Sequence, residues 1–279
     1  MMTPRYIRPL TTGELLDLPL GLLRSLWPRL MVVYLMGGFP VAVIQTLIVL
    51  PALAQIPAGG VEAIASDLAP VITAHWARFL LCLALAPLHA PANAAAIHLV
   101  AASAQGLTLS PIEAFRRAGR HALTLIGATT LVSAINIALL AVNLVPCIGT
   151  LLWIATLPMI SVRLRFVPEV VMLEEYPFRA ALGRSWQLCS GSVGRQSGVA
   201  LWTLVLMAAV HYSGASALGL ATLFVTPGAD LAVVASVIAF VLTSVLLTGW
   251  TPCARTLAYL ELRARREALD IDLAMGNAL

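Results

Sequence analysis

The sequence predicts an all-α membrane fold, a single integral membrane domain over residues 1–279 with six transmembrane helices. Three cytoplasmic interfacial elbow helices accompany them, in a candidate threefold elbow-plus-hairpin repeat. Three observations lead there. Hydrophobic residues make up 60% of the chain and charged ones 11%, and a mean hydropathy of +0.92 is far above that of soluble domains. Apolar runs near 30–54, 79–102, 122–145, 149–170, 197–222 and 231–254 each supply the roughly 20 residues needed to cross the hydrocarbon core. Finally, all 17 basic residues are arginine, and with both termini cytoplasmic every one except Arg78 falls on the inner side. That bias is the positive-inside pattern, and it predicts a multi-pass protein of the bacterial inner (plasma) membrane.

The N-terminal MMTPRYIRPLTTGELLD is polar and has no apolar core ending in a cleavage site, so no signal peptide is expected. The first elbow is TTGELLDLPLGLLRSLW, with Thr11 and Glu14 spaced as a capping box. Span one follows it and span two comes next. The second elbow, SPIEAFRRAGRHA, has Ser110 as N-cap, Pro111 at the first helical position and Glu113 closing the box. Its Ile112, Phe115 and Gly119 oppose Arg116, Arg117 and Arg120. Span three runs from there. Span four carries Arg163 and Arg165 inside its apolar run. A straight helix entering at Leu151 would put Arg163 about 18 Å and Glu169 about 27 Å into the membrane, against a core about 30 Å thick. Both arginines could then snorkel to the inner headgroups.

The third elbow, YPFRAALGRSWQL, opens with Pro177. Phe178, Ala181, Leu182, Trp186 and Cys189 share one face, with Arg179, Arg184 and Gln187 toward the other. The opposite side of the membrane receives Glu62, Asp67 and Asp230. Span six is expected to continue as a charged helix, RTLAYLELRARREALDID, in which Glu261 and Arg265 are four apart in the favourable order.

The densest charge lies in SVRLRFVPEVVMLEEYPFRAALGRSW, residues 161–186. Arg163, Arg165, Glu169, Glu174, Glu175, Arg179 and Arg184 there, with Glu261, Arg263 and Arg265 in the tail, have two readings. One is a salt-bridge network that locks span four to the elbow after it, with Arg165 and Glu169 as an i,i+4 pair. The other is a lipid-head or ligand site at the cytoplasmic rim. The structural reading is favoured, because inner-side placement alone calls for arginines here. Arg116, Arg117 and Arg120 are expected to contact anionic lipid.

His89 and His98 fall nine residues apart on span two and on opposite faces, unless Pro87 and Pro91 bend the helix. The remaining histidines are His75, His121 and His211, and no catalytic or metal motif includes any of them. Gln45, Asn93, Asn136 and Asn143 could line a solute path or bond across helices. Cys82, Cys147, Cys189 and Cys253 are solitary, which points to small buried hydrophobes. No catalytic residue, metal or cofactor is expected, and scattered arginines make nucleic acid an unsuitable partner.

Three segments carry a resemblance: GELLDLPLGLLR, VPEVVMLEEYPFRAALGRSWQLCSG at 167–191, and TLAYLELRARREALD at 256–270. The chain resembles the membrane domain of some bacterial glycerophosphoryl diester phosphodiesterases, shared with stand-alone six-helix membrane proteins. In that pattern a glutamate precedes A-L-x-R-S-W, here Glu174 and then Ala181, Leu182, Arg184, Ser185 and Trp186. The resemblance implies the fold and little activity, since catalysis in fused relatives is associated with a separate soluble barrel expected to be absent here. It also implies a glycine where Ala268 stands.

The function expected is that of a non-enzymatic inner-membrane scaffold or accessory subunit of envelope or lipid-related machinery. Its partners would be membrane lipids, anionic ones above all, and other membrane proteins. A permease or channel lined by the amides and His89, His98 or His211 is the alternative, and an intramembrane lipid-modifying enzyme a second one.

Overall fold

The computed structural model describes residues 7–41, 43, 44, 84–141, 156, 159–206, 209 and 249–268. Gln45, Glu62, Asp67, His75, Arg78, Cys82, Asn143, Cys147, His211 and Asp230 lie outside these residues, as do most of the runs read as spans five and six. The fold is all-helical, with no strand among the described residues.

Helix α1, Thr12–Gly37, begins at the expected capping box: the Thr11 hydroxyl accepts the Glu14 amide, and the Glu14 carboxylate accepts the Thr11 amide. The Thr11 amide, with Arg8 beside it, holds the Glu14 carboxyl below its ordinary range. The elbow and the span expected to follow it are one continuous helix, running through Pro19 and Pro28. An interior proline costs about 3 kcal/mol, whereas each leucine fully buried is worth about 1.5–3 kcal/mol. Leu15, Leu22, Leu26 and Leu30 are all buried on one stripe of α1 together with Pro19, so packing outweighs the two breaks.

A single 3-10 turn, Ala86–His89, leads into α2, Ala90–Ala104. His89 therefore sits ahead of the helix that carries His98. Ala90, Ala92, Ala94, Ala95, Ala96, Ile97, Leu99 and Val100 are buried around the whole circumference of α2. Such an alanine surface lets neighbouring backbones come close, and α2 packs against α1 and against four of the helices described below. At Gly37 an added Cβ would sit 3.1 Å from both Ala92 Cβ and Phe115 Cζ, so α1 approaches too closely for a side chain.

Helix α3, Pro111–Arg120, starts at Ser110, whose hydroxyl accepts the Glu113 amide at 3.2 Å. Only this half of the expected box forms. The Glu113 carboxylate turns to Arg116 and Arg117, three and four residues on, where a helix surface favours the pair. The face α3 buries is Ala114 and Ala118, while Ile112 is 73% exposed.

After His121 the chain enters α4, Ala122–Ala141. Over 122–139 it is long and apolar enough to cross a membrane, yet only 17% of that window is buried.

The run read as span four is not one helix. Helical residues 159–164 end at a turn through Arg165 and Phe166, and α5, Val167–Leu173, restarts beyond it. Pro168 explains the position: it lacks an N–H, and its ring collides with a carbonyl four residues back, which here is that of Leu164. The straight-helix depth assigned to Glu169 falls with the break. A turn at Glu174–Pro177 precedes α6, Phe178–Cys189, and a further helix is described over 193–206. Helix α7, Trp250–Glu267, stops at Ala268, whose φ of 51° is left-handed.

Candidate functional site

Helix α7 carries Arg255, Tyr259 and Arg263 at four-residue spacing, which on an α-helix is one stripe. Two of the three acids of the 161–186 stretch meet that stripe. Glu169, its side chain fully buried, pairs with Arg255. Glu174, 8% exposed, accepts Arg184 Nε at 2.8 Å and the Tyr259 hydroxyl, and lies 3.7 Å from Arg263 Nε. Glu267 at the end of α7 pairs with both Arg184 and Arg263. Arg184, expected on the polar outer face of α6, is thereby drawn into a knot of two acids, two arginines and a tyrosine.

Burial works against the Arg184 cation, and the hydrogen bonds to Glu174 and Glu267 overcome it, so its pKa is raised. Arg263 shifts up in the same sense: burial opposes its charge, and Tyr259, Glu267 and Glu174 together outweigh that. Burial, followed by the charge of Glu174, raises the Tyr259 phenol.

A second tie closes the chain upon itself. Glu261, also fully buried, accepts Arg195 Nη1 at 2.7 Å and Arg265 Nε at 2.8 Å through one oxygen. The same two arginines donate to the Leu10 carbonyl at 2.6 and 3.0 Å. The start of the described chain, the 193–206 helix and α7 are thus held at one point.

A third set of bonds seals helix ends. The break after Leu164 leaves carbonyls without intrahelical partners. The Ser185 hydroxyl donates to the Arg163 carbonyl at 2.6 Å, and the Cys189 thiol to that of Val162 at 3.3 Å. Burial pushes the Cys189 thiol up to about 11. Arg266 Nη1 in turn donates to the Gln187 carbonyl and the Ser190 hydroxyl at the end of α6. Gly191 follows with φ +72°, and a Cβ there would meet Arg266 Nη2 at 3.3 Å.

The structure sorts the expected residues. Glu169, Glu174, Arg184, Glu261, Arg263 and Arg265 are brought together around α7. Arg165 does not pair with Glu169: the break between them removes the i,i+4 geometry, and Glu169 takes Arg255 instead. Arg163 stacks on Trp186, 4.4 Å from the ring centre. Arg179 stays exposed and without an ion-pair partner among the described residues. Arg116 and Arg117 spend part of their charge on Glu113, and Arg120 is exposed. Glu175 reaches His121 at 3.6 Å.

No protein-family model, curated protein or solved structure matches this chain. What the joint does follows from its own residues. Sequence reasoning missed Arg195, Arg255, Tyr259, Ser185 and Cys189 as members. The stripe at 255, 259 and 263 was a legible signal for two of them, and Pro168 was one for the helix end that Ser185 and Cys189 seal.

The amides are engaged between helices. Asn93 accepts the Tyr34 hydroxyl at 3.0 Å, which ties α2 to α1. Asn136 accepts the Ser161 hydroxyl at 2.8 Å and donates to the Val132 carbonyl. Among the described residues no three His, Cys, Asp or Glu side chains are grouped to hold a metal ion.

Proposed function

We propose that this chain is a multi-pass protein of the bacterial inner membrane, with six spans and both termini cytoplasmic. It works without an enzymatic activity of its own, as a scaffold or accessory subunit of envelope or lipid-related machinery. Kinship with the stand-alone membrane-domain family belongs to the same proposal and rests on the three segments quoted above. The observation that carries it is the joint itself: the carboxylates that a reactive site would use are committed to arginines on other segments of the same chain. Helix α4 supports the membrane part, being apolar along its length and largely unburied, as are Leu201, Trp202, Leu204, Val205 and Leu206. Exposed apolar surface of this extent marks a membrane or protein partner. The bonds of Asn93 and Asn136 across helices favour a scaffold over a solute path, because amides used as glue are not free to coordinate a solute.

Two experiments test this. Cysteines placed at Gly60 and Gly228, in a chain without native cysteines, should react with an impermeant maleimide in intact cells. Cysteines at Gly119 and Asp272 should react only after permeabilisation, and the reverse pattern sinks the topology. Purification from native membranes in mild detergent should then recover another membrane protein in fixed ratio. Recovery of the chain alone, with turnover of a lipid substrate, would overturn the accessory role.

A further inference from the structure

Around α6 and α7 the arginines Arg184, Arg195, Arg255, Arg263 and Arg265 each meet a glutamate. Arg163 and Arg165 meet none among the described residues, although Glu169 lies close enough for its charge to act on Arg165. Had they been placed only for topology, their guanidinium groups would be expected to extend into headgroups or water. Instead Arg163 Nε and Arg165 Nη1 are both buried and bonded to no protein acceptor. A buried guanidinium donor without an acceptor is costly, so a site that keeps two of them is built for an acceptor from outside.

The site is also held in shape. Trp186 supports the Arg163 guanidinium face-on and is itself 41% exposed. Ser185 and Cys189 pin the backbone carbonyls at 163 and 162. Those two bonds set the turn that bears both cations against the C-terminal half of α6. Two planar forks over a fixed backbone suit a tetrahedral oxyanion that accepts several N–H groups at once. We propose that Arg163 and Arg165, backed by Trp186, bind a phosphate mono- or diester at the turn between residue 164 and α5. Its lipid form rests on the membrane reading above, and its soluble form does not.

The test compares the full chain with R163Q/R165Q and with R179Q, which changes an exposed arginine outside the joint. In native mass spectrometry with added phosphatidylglycerol, the double variant should retain about tenfold less lipid or worse, and R179Q should retain it normally. In a parallel arm, inorganic phosphate and glycerol 3-phosphate are titrated against thermal unfolding. A stabilising shift in the parent chain that the double variant lacks, with lipid retention equal in both, assigns the site to a soluble phosphoester. Should the glutamine variant not fold, R163K/R165K decides: reduced retention of phosphatidylglycerol or a lost phosphate shift supports the site. Equal behaviour of parent and folded variant in both arms overturns it.

Discussion

Glu261 and its two arginines form one kind of charged region in this molecule, and the turn carrying Arg163 and Arg165 forms another. In the first, a fully buried carboxylate is shared by Arg195 and Arg265, and the same arginines hold the Leu10 carbonyl. In the second, two cations meet aromatic rings, Trp186 under Arg163 and Phe166 near Arg165, and no acid pairs with either among the described residues. Both regions draw on the same arginine-rich segments of the sequence. Packing separates them: charges on segments that converge on α7 are paired with glutamates, whereas Arg163 Nε and Arg165 Nη1 at the broken helix end are buried without an acceptor among the described residues.

The comparison breaks most readily at Glu261. Glu261→Gln removes the buried acid shared by the partly exposed Arg195 and Arg265, and the expected loss is about 3 kcal/mol. Denaturant unfolding of the purified chain in detergent would measure it, and a loss under about 1 kcal/mol would mean the tie is no stronger than an exposed ion pair.

Glu174→Gln should cost less, about 2 kcal/mol, because Glu267 still holds Arg184 and Arg263. Combined with Arg184→Gln, the two losses should fall short of their sum. Full additivity in that cycle would show that the pair is not coupled.

Ser185→Ala reaches the other region through its backbone. It strips the donor from the Arg163 carbonyl and should lower stability by about 1–2 kcal/mol. An unchanged melting temperature would show that α6 does not seal the helix end. The smallest change lies at the end of α7. Ala268→Gly should raise stability by about 1 kcal/mol, since a left-handed residue with a Cβ is strained. A lower melting temperature would mean that Ala268 is not held left-handed in solution.

Much of the helical framework was legible beforehand because its causes are local. Thr11 with Glu14 and Ser110 with Pro111 mark helix starts within four residues, and both starts are where the spacing puts them. The pairing of Glu261 with Arg265 follows from i,i+4 geometry on one helix. Elbow one failed as a separate element because buried leucines override Pro19 and Pro28, a balance that depends on what the stripe packs against. On α6 the buried face is Ala181, Ser185, Leu188 and Cys189, with Trp186 turned partly outward beneath Arg163. Periodicity placed Ala181 and Cys189 on that face, with Phe178 and Leu182 packed at its edge, and missed Ser185 and Leu188.

The sequence by itself determined that the chain is helical, where several helices start, and that arginine gathers on particular segments. Each of these depends on residues a few positions apart, within reach of one another in any conformation of the chain. Only the tertiary structure decided which acid an arginine on a distant segment meets. Glu169 finds Arg255 across 86 positions and Glu261 finds Arg195 across 66. The helix break at Arg165 turned the nearer partner away, and α7 brought the distant ones in. A charge pair between distant segments is selected by which of them pack together and by which donors remain unmatched when they do, and no local spacing encodes that choice.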